Sequence, residues 1–203
     1  MTQFTQEVLG AGDPLDVYAG AVDAIADEIR HTGLCVQMLE VLGGTPMYPE
    51  PLNAEEPGEF LSLPMPQRAA ATAISMLAIS ETISTHLIAD LQQRCTDPTV
   101  LAVLDATLAD EDQHEAYGWA YVEASLQRFE GGEGYFKGVV QHTLEPLITA
   151  YQPILDGLSD TERDLTCYPE VTEAKLGLFS EQREALVFHQ ALHEAVLPRL
   201  ETL

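Results

Sequence analysis

Apolar side chains recur at helical spacing along most of the chain, and glycine and proline residues mark where this pattern stops. The first such stretch covers residues 1 to 11, and Gly10-Ala-Gly12 closes it. Asp13-Pro14 then begins a longer helix, whose apolar positions continue to about Leu42 before Gly43-Gly44 ends it. The pattern therefore predicts a short first helix followed by a long second helix.

Residues 45 to 66 break the helical pattern. They contain six prolines together with Gly58, and this composition disfavours regular structure. A connection of this length is uncommon inside a compact domain, but it can join the two helical hairpins of a four-helix bundle. We therefore expect a long crossover loop between two halves of the molecule.

Residues 67 to 94 are rich in alanine, isoleucine and leucine and carry almost no charge before Glu81. This composition predicts a helix that is buried on most of its surface, so a carboxylate in its middle needs a specific reason. Thr96-Asp97-Pro98 predicts a turn and a helix cap, and the next helix should extend to about Phe129. Two further helices are predicted, at about residues 134–157 and 178–202.

The whole pattern predicts an all-α protein. With 203 residues, of which 46% are hydrophobic, the chain is long enough to bury one core. We therefore expect a single domain over residues 1–203, with a bundle core at residues 1–130 and a C-terminal helical extension at residues 131–203.

The charge of the chain limits the classes of partner. The sequence holds 33 acidic and 9 basic residues, for a formal net charge of −24. No basic stripe is present to neutralise phosphates, so a nucleic-acid partner is not expected. An acidic surface attracts divalent cations, although it more often serves solubility.

The cysteines and the chain's first residues indicate a cytoplasmic protein without a membrane partner. The three cysteines have no C-x-x-C spacing, which suggests neither a disulfide framework nor a zinc knuckle. No stretch resembles an export signal, and no run approaches eighteen uncharged apolar residues.

One five-residue motif occurs twice within the predicted helices, as Asp27-Glu28-Ile-Arg-His31 and as Asp110-Glu111-Asp-Gln-His114. Residues three apart on a helix point from one face, so each motif has metal-ligand spacing. A single copy is more often a solvated Glu/His pair. Two copies together with Glu81 provide most of a carboxylate-bridged dimetal site in a four-helix bundle, and these ligand types suit iron, manganese or zinc.

Other pairs of polar residues are weaker candidates for metal ligands. His189 and His193 have i, i+4 spacing, and His142 with Glu145 forms another pair. Neither pair repeats the motif, and the C-terminal helices are expected to pack outside the four bundle helices.

Several segments together resemble those of a known family: Ala26-Asp-Glu-Ile-Arg-His-Thr-Gly-Leu-Cys35, Leu77-Ala-Ile-Ser-Glu-Thr-Ile-Ser84, Cys95-Thr-Asp-Pro98 and Leu108-Ala-Asp-Glu-Asp-Gln-His-Glu-Ala-Tyr-Gly-Trp119. The chain resembles the bacterial ferritin-like, rubrerythrin-type diiron carboxylate proteins over roughly residues 4 to 130. The resemblance implies a ferritin-like four-helix bundle in which Glu28, His31, Glu81, Glu111 and His114 are iron ligands. It also implies dioxygen or peroxide as the small reactant.

One expected ligand is missing from this pattern. Glu81 lies 16 residues before the Asp97 cap, whereas Glu7 lies only six residues before Asp13. We therefore expect a truncated first bundle helix or a replaced ligand, with unequal metal occupancy or a single ion unless His142, Glu145, His189 or His193 substitutes. A short first helix would expose apolar helix faces, which predicts a homodimer or a C-terminal helix folded over the gap.

The expected function is a non-haem diiron oxidase or oxygenase that uses dioxygen on a small organic substrate. Glu28, Glu81 and Glu111 are the expected catalytic carboxylates, because they can shift between terminal and bridging positions on a metal pair. Two other classes remain open, namely a ferroxidase that handles iron and a metal-poor bundle that serves protein interaction.

Overall fold

The computed structural model describes residues 1–47, 58–129, 133–166 and 172–203. Every regular element in these ranges is a helix, which confirms the all-α prediction. The elements are α1 (Thr2–Ala11), α2 (Leu15–Val41), α3 (Gly58–Leu61), α4 (Met65–Thr72), a π-helical stretch (Ala73–Ser80), α5 (Glu81–Arg94), α6 (Pro98–Leu126), α7 (Glu133–Asp156), a 3₁₀ turn (Thr172–Leu176), α8 (Glu181–Ala191), a second π-helical stretch (Leu192–Val196) and α9 (Leu197–Thr202).

Two predicted helix boundaries are confirmed, at Gly12 and at Asp97, whereas the expected Asp13 cap of α2 is wrong, because Pro14 is the N-cap there and makes no side-chain cap hydrogen bond. Gly12 has a φ of 73°, a left-handed conformation that suits glycine, and it closes α1. The Asp97 carboxylate accepts hydrogen bonds from the backbone N–H groups of Thr99 and Val100 at the start of α6.

Part of the predicted crossover loop, residues 48–57, lies outside the described ranges. The prediction of irregular structure up to residue 66 is wrong at its end, because Gly58–Leu61 forms a helical turn and α4 begins at Met65. Proline is tolerated in the first turn of a helix, where its missing N–H would have no helical partner, so Pro66 does not prevent α4 from starting there.

The chain divides into two compact units, and the first comprises Met1–Ala73. Within this unit α1 packs against both α4 and α2. Phe4 and Val8 on α1 and Ala69 and Ala70 on α4 are fully buried. The small side chains of α4 thus accept the larger apolar residues of the short first helix.

Glu7 is the buried carboxylate of this unit. Its Oε2 accepts a hydrogen bond of 2.7 Å from the Thr72 hydroxyl, and its Oε1 accepts one of 3.0 Å from the Gln3 amide. Arg68 Nε lies 3.4 Å from Oε1 and supplies the balancing charge. Glu7 therefore has a complete local environment that fastens α1 to α4.

The second unit comprises Ile74–Leu203, and its central feature is the packing of α5 against α6. Gly118 of α6 lies against the π-helical stretch that precedes α5, because an added Cβ there would lie 2.3 Å from the Leu77 carbonyl group. One residue further along, the Trp119 indole N–H donates a 2.9 Å hydrogen bond to the Thr82 hydroxyl. A residue without a side chain is needed here for the two backbones to come together.

The C-terminal helix α8 packs against α5 and α7. Asp90 on α5 makes an ion pair of 2.7 Å with Arg183 of α8 and one of 2.6 Å with Arg94 of its own helix. These three side chains are largely buried, so the pairing fixes the position of α8 along α5.

One continuous helix, Met65–Arg94, is long and apolar enough to cross a membrane by length and composition alone. In the 18-residue stretch of this helix that was tested for mean hydropathy, 56% is buried inside the protein, as in the core helix of a soluble protein. The predicted cytoplasmic location and the single-domain organisation both stay predictions.

Candidate metal centre

Three of the predicted ligands come together in the second unit. Glu81 lies at the start of α5, and Glu111 and His114 lie three residues apart on α6. Each of the three offers one ligand atom, and these atoms all lie within 4.8 Å of one another. The α5 and α6 side chains therefore form a carboxylate and histidine cluster of a size that can surround a metal ion.

Two members of this cluster are deeply buried. Glu111 and His114 are each only 4% exposed, and His114 Nδ1 lies 3.6 Å from Glu111 Oε2. Glu81 is partly buried. A buried carboxylate is costly to ionise unless charged or hydrogen-bonding groups surround it, and a cation held by these residues would be one such group.

A change in helix type precedes Glu81. Residues Ala73–Ser80 form a π-helical stretch, in which hydrogen bonds run between residues five apart. The Ser80 hydroxyl follows the same spacing, because it donates a 2.7 Å hydrogen bond to the Ser75 carbonyl oxygen. The helix returns to α geometry at Glu81. The π-helical stretch was not predicted from the sequence, because no residue type indicates where it occurs.

The other copy of the motif lies in the first unit. His31 is buried on α2, whereas 42% of the Glu28 side chain is exposed. The His31 Nδ1 atom lies 4.0 Å from Glu28 Oε1, slightly further than in the second copy. Beside them, Asp27 forms a 3.0 Å ion pair with Arg30. Both pairs have the predicted spacing, but only the α6 pair is buried as a whole.

The weaker candidates do not join a ligand cluster in the part of the chain that the structure describes. No group of three or more candidate ligands there includes His142, Glu145, His189 or His193. The His189 and His193 rings lie 4.3 Å apart between centroids. Burial and the nearby charges of His193 and Arg163 lower the pKa of His189. These residues are therefore not replacements for the missing ligand within the described ranges.

The donor set of the cluster fits a first-row transition metal. Two carboxylates and an imidazole are ligands that iron, manganese and zinc accept. Carboxylates can also bridge two cations through their two oxygen atoms. The buried position of Glu111 and His114 adds to this fit, because it holds both donors in fixed positions.

Comparison of the chain with protein-family models, with curated proteins and with solved structures gave no match. The all-α fold and the carboxylate and histidine cluster thus stand on the structure of this chain alone. The ferritin-like resemblance is carried by the sequence motifs described above.

Proposed function

We propose that this protein is a ferritin-like diiron carboxylate oxidase or oxygenase that uses dioxygen on a small organic substrate. The observation that carries the proposal is the cluster of Glu81, Glu111 and His114, whose ligand atoms lie within 4.8 Å of one another. The repeated sequence motif supplies Glu28 and His31 as the remaining ligands. A site of this composition matches the carboxylate-bridged centres that are built inside four-helix bundles.

The chemistry of the site divides between the metal and the chain. Iron bound there would supply electrons for dioxygen reduction and act as a Lewis acid. His114 and the carboxylates hold their donor atoms in place, and the carboxylates can change between terminal and bridging positions as charge changes.

Iron handling is the alternative function for the same residues. It is favoured by the net charge of −24, because a strongly negative surface raises the local concentration of Fe(II). In that case the centre would oxidise Fe(II), and the iron itself would be the substrate.

Metal analysis combined with oxygen consumption separates these functions. The purified chain is loaded anaerobically with Fe(II), its iron content is measured by mass spectrometry, and oxygen uptake is then followed. For an oxidase or oxygenase we expect about one or two irons per chain and oxygen uptake that stops unless reductant and an organic substrate are supplied. Accumulation of many irons per chain as a mineral would instead indicate iron handling.

A matched pair of variants shows whether the cluster is responsible. Glu111→Gln removes an anionic ligand, whereas Glu123→Gln makes the same change at an exposed position on the same helix. We expect Glu111→Gln to lose iron and oxygen uptake and Glu123→Gln to retain both. Failure of the unmodified chain to bind iron, manganese or zinc would overturn the proposal and leave a bundle that serves protein interaction.

A further inference from the structure

A cleft of about 280 Å³ lies between α7 and the C-terminal helices α8 and α9. Its floor is apolar and deeply buried, since Leu155 is 5% exposed, Phe188 2% and Leu192 5%. The Phe188 ring packs against the Tyr151 ring, with 4.7 Å between their centroids. A concave surface with an apolar and aromatic floor is the usual form of a binding site for a small organic molecule.

Two histidines form the open rim of this cleft. His189 and His193 lie about one helical turn apart, and their ring centroids are 4.3 Å from each other. His193 belongs to the second π-helical stretch, Leu192–Val196, which directly follows α8. Such π-helical turns inside α-helices are frequent at functional sites. The cleft therefore combines an apolar floor with two polar groups at one edge.

Carboxylates near the cleft disfavour an anionic ligand. The hydroxyl of Tyr151, which lines the cleft, donates a 2.7 Å hydrogen bond to Glu184. Gln152, also on the lining, donates one of 2.7 Å to Asp156. Glu194 lies in the second π-helical stretch. An anion in the cleft would face these negative charges in a chain with a net charge of −24, so an organic acid or a phosphate does not fit.

The groups around His189 disfavour a cationic ligand as well. Arg163 donates a 2.8 Å hydrogen bond to the carbonyl oxygen of Leu155, a residue of the floor. Burial lowers the pKa of His189, and the charges of His193 and Arg163 lower it further. His189 is therefore neutral at pH 7, and a neutral imidazole offers one N–H donor and one nitrogen acceptor. A ligand group that both donates and accepts a hydrogen bond, such as a hydroxyl, matches this ring.

We propose that this cleft binds a small, neutral aromatic alcohol, whose ring packs on Phe188 and Leu192 and whose hydroxyl forms hydrogen bonds with His189 and His193. The apolar floor supplies the binding energy, and the two histidines supply the direction of binding. The site does not rest on the proposed metal chemistry. Among the described residues, none that line the cleft belongs to the carboxylate and histidine cluster.

The size of the cleft limits the affinity that it can give. Its volume of about 280 Å³ lies at the lower end of the range for ligand pockets, which is about 300–1,000 Å³. A ligand that fills it has only about ten non-hydrogen atoms, and each such atom contributes a limited amount to binding. We therefore expect a Kd on the order of 0.1–1 mM for a simple member of this class.

Titration of the full chain with benzyl alcohol, followed by NMR of its six histidine rings, tests the proposal. The ring signals of His189 and His193 should shift and reach saturation. The signal of His142, which is exposed on α7 outside the cleft lining, should not shift. Benzoate and benzylamine carry a negative and a positive group on the same ring, and each should bind at least about fivefold more weakly.

A matched pair of variants assigns the binding to the cleft. His193→Ala removes one hydrogen-bonding group and should weaken the binding of benzyl alcohol about fivefold. His142→Ala makes the same change at an exposed position on α7 and should leave the Kd unchanged. Both replaced side chains are exposed, so both variants should keep the fold, which circular dichroism checks.

Three results would overturn the proposal. They are equal weakening by the two variants, tighter binding of benzoate or benzylamine than of benzyl alcohol, and shifts of the His189 and His193 signals with Zn(II) but not with benzyl alcohol. Iron content, measured on the same samples, should be equal in His193→Ala and His142→Ala. Loss of alcohol binding and loss of the metal centre are therefore distinguishable results.

Discussion

Helices α2 and α6 carry the same Glu-x-x-His spacing, but their surroundings differ. On α6 both side chains are almost completely buried, and Glu81 of α5 lies beside them. On α2 the histidine is buried, while 42% of the Glu28 side chain is exposed. The spacing alone thus places two donors on one face of a helix. Burial of both donors depends on what packs against that face.

The difference follows from the helix that precedes each motif helix. The motif on α6 follows α5, which packs tightly against it and supplies a carboxylate. The motif on α2 follows α1, which is only ten residues long and uses its one buried acid, Glu7, to bind α4. If both motifs contribute to one metal site, the two metal positions should therefore be unequal.

Replacing the glutamate of each Glu-x-x-His motif by alanine should give the largest effect, and the two replacements should differ in how much metal is lost. We expect Glu111→Ala to abolish metal binding, because it removes a buried ligand that lies beside Glu81 and His114. Glu28→Ala should leave about one metal ion bound, since Glu81, Glu111 and His114 remain. Calorimetric titration with Mn(II) and metal analysis would measure both. Equal loss in the two variants would show that the copies are equivalent.

Two glycines allow helices α6 and α2 to be compared through their effect on the stability of the fold. Gly118→Ala on α6 would place a Cβ 2.3 Å from the Leu77 backbone, so we expect a loss of about 3 kcal/mol in the free energy of unfolding. Gly33→Ala on α2 meets nothing within 4 Å and lies inside a helix, where alanine is favoured. It should therefore stabilise the protein by about 0.5–1 kcal/mol. Urea denaturation of both variants measures the difference, and effects of the same sign would contradict it.

The smallest effect concerns the protein without metal. Glu111→Gln keeps the shape of the side chain but weakens the interactions that the buried carboxylate makes, so we expect the metal-free protein to lose about 1 kcal/mol in unfolding free energy. Glu28→Gln changes a side chain that is 42% exposed and should alter stability by less than about 0.5 kcal/mol. Chelator-treated samples in thermal denaturation provide the test. A stability gain in Glu111→Gln would show that burial of the charge costs more than its interactions return.

Sequence reasoning succeeded where one residue determines local structure. Gly12 and Asp97 fixed helix ends because a left-handed turn needs glycine and a free helix N-terminus needs an acceptor. Glu111 and His114 were placed on one face by helical spacing alone. The proximity of Glu81 was predicted because a carboxylate inside an apolar helix requires a partner.

The remaining features depend on tertiary structure or leave no residue signal. The 42% exposure of the Glu28 side chain depends on tertiary structure and cannot be inferred from its own helix. The helical turn at Gly58–Leu61 was not predicted, because the prolines around it indicated irregular structure for the whole segment. The π-helical stretch at Ala73–Ser80 has the composition of an ordinary buried helix, so periodicity did not reveal it.

The π-helical stretch also affects how this chain is to be compared with others. A π-helical bulge accommodates additional residues inside a helix, and the residues after it keep their own α-helical register. In an alignment, such an insertion appears as a gap in the middle of a helix, where gaps are normally penalised. A search that forbids this gap would align Glu81 with the wrong column of a relative. For evolutionary comparison, the segments on either side of Ala73–Ser80 should therefore be aligned separately.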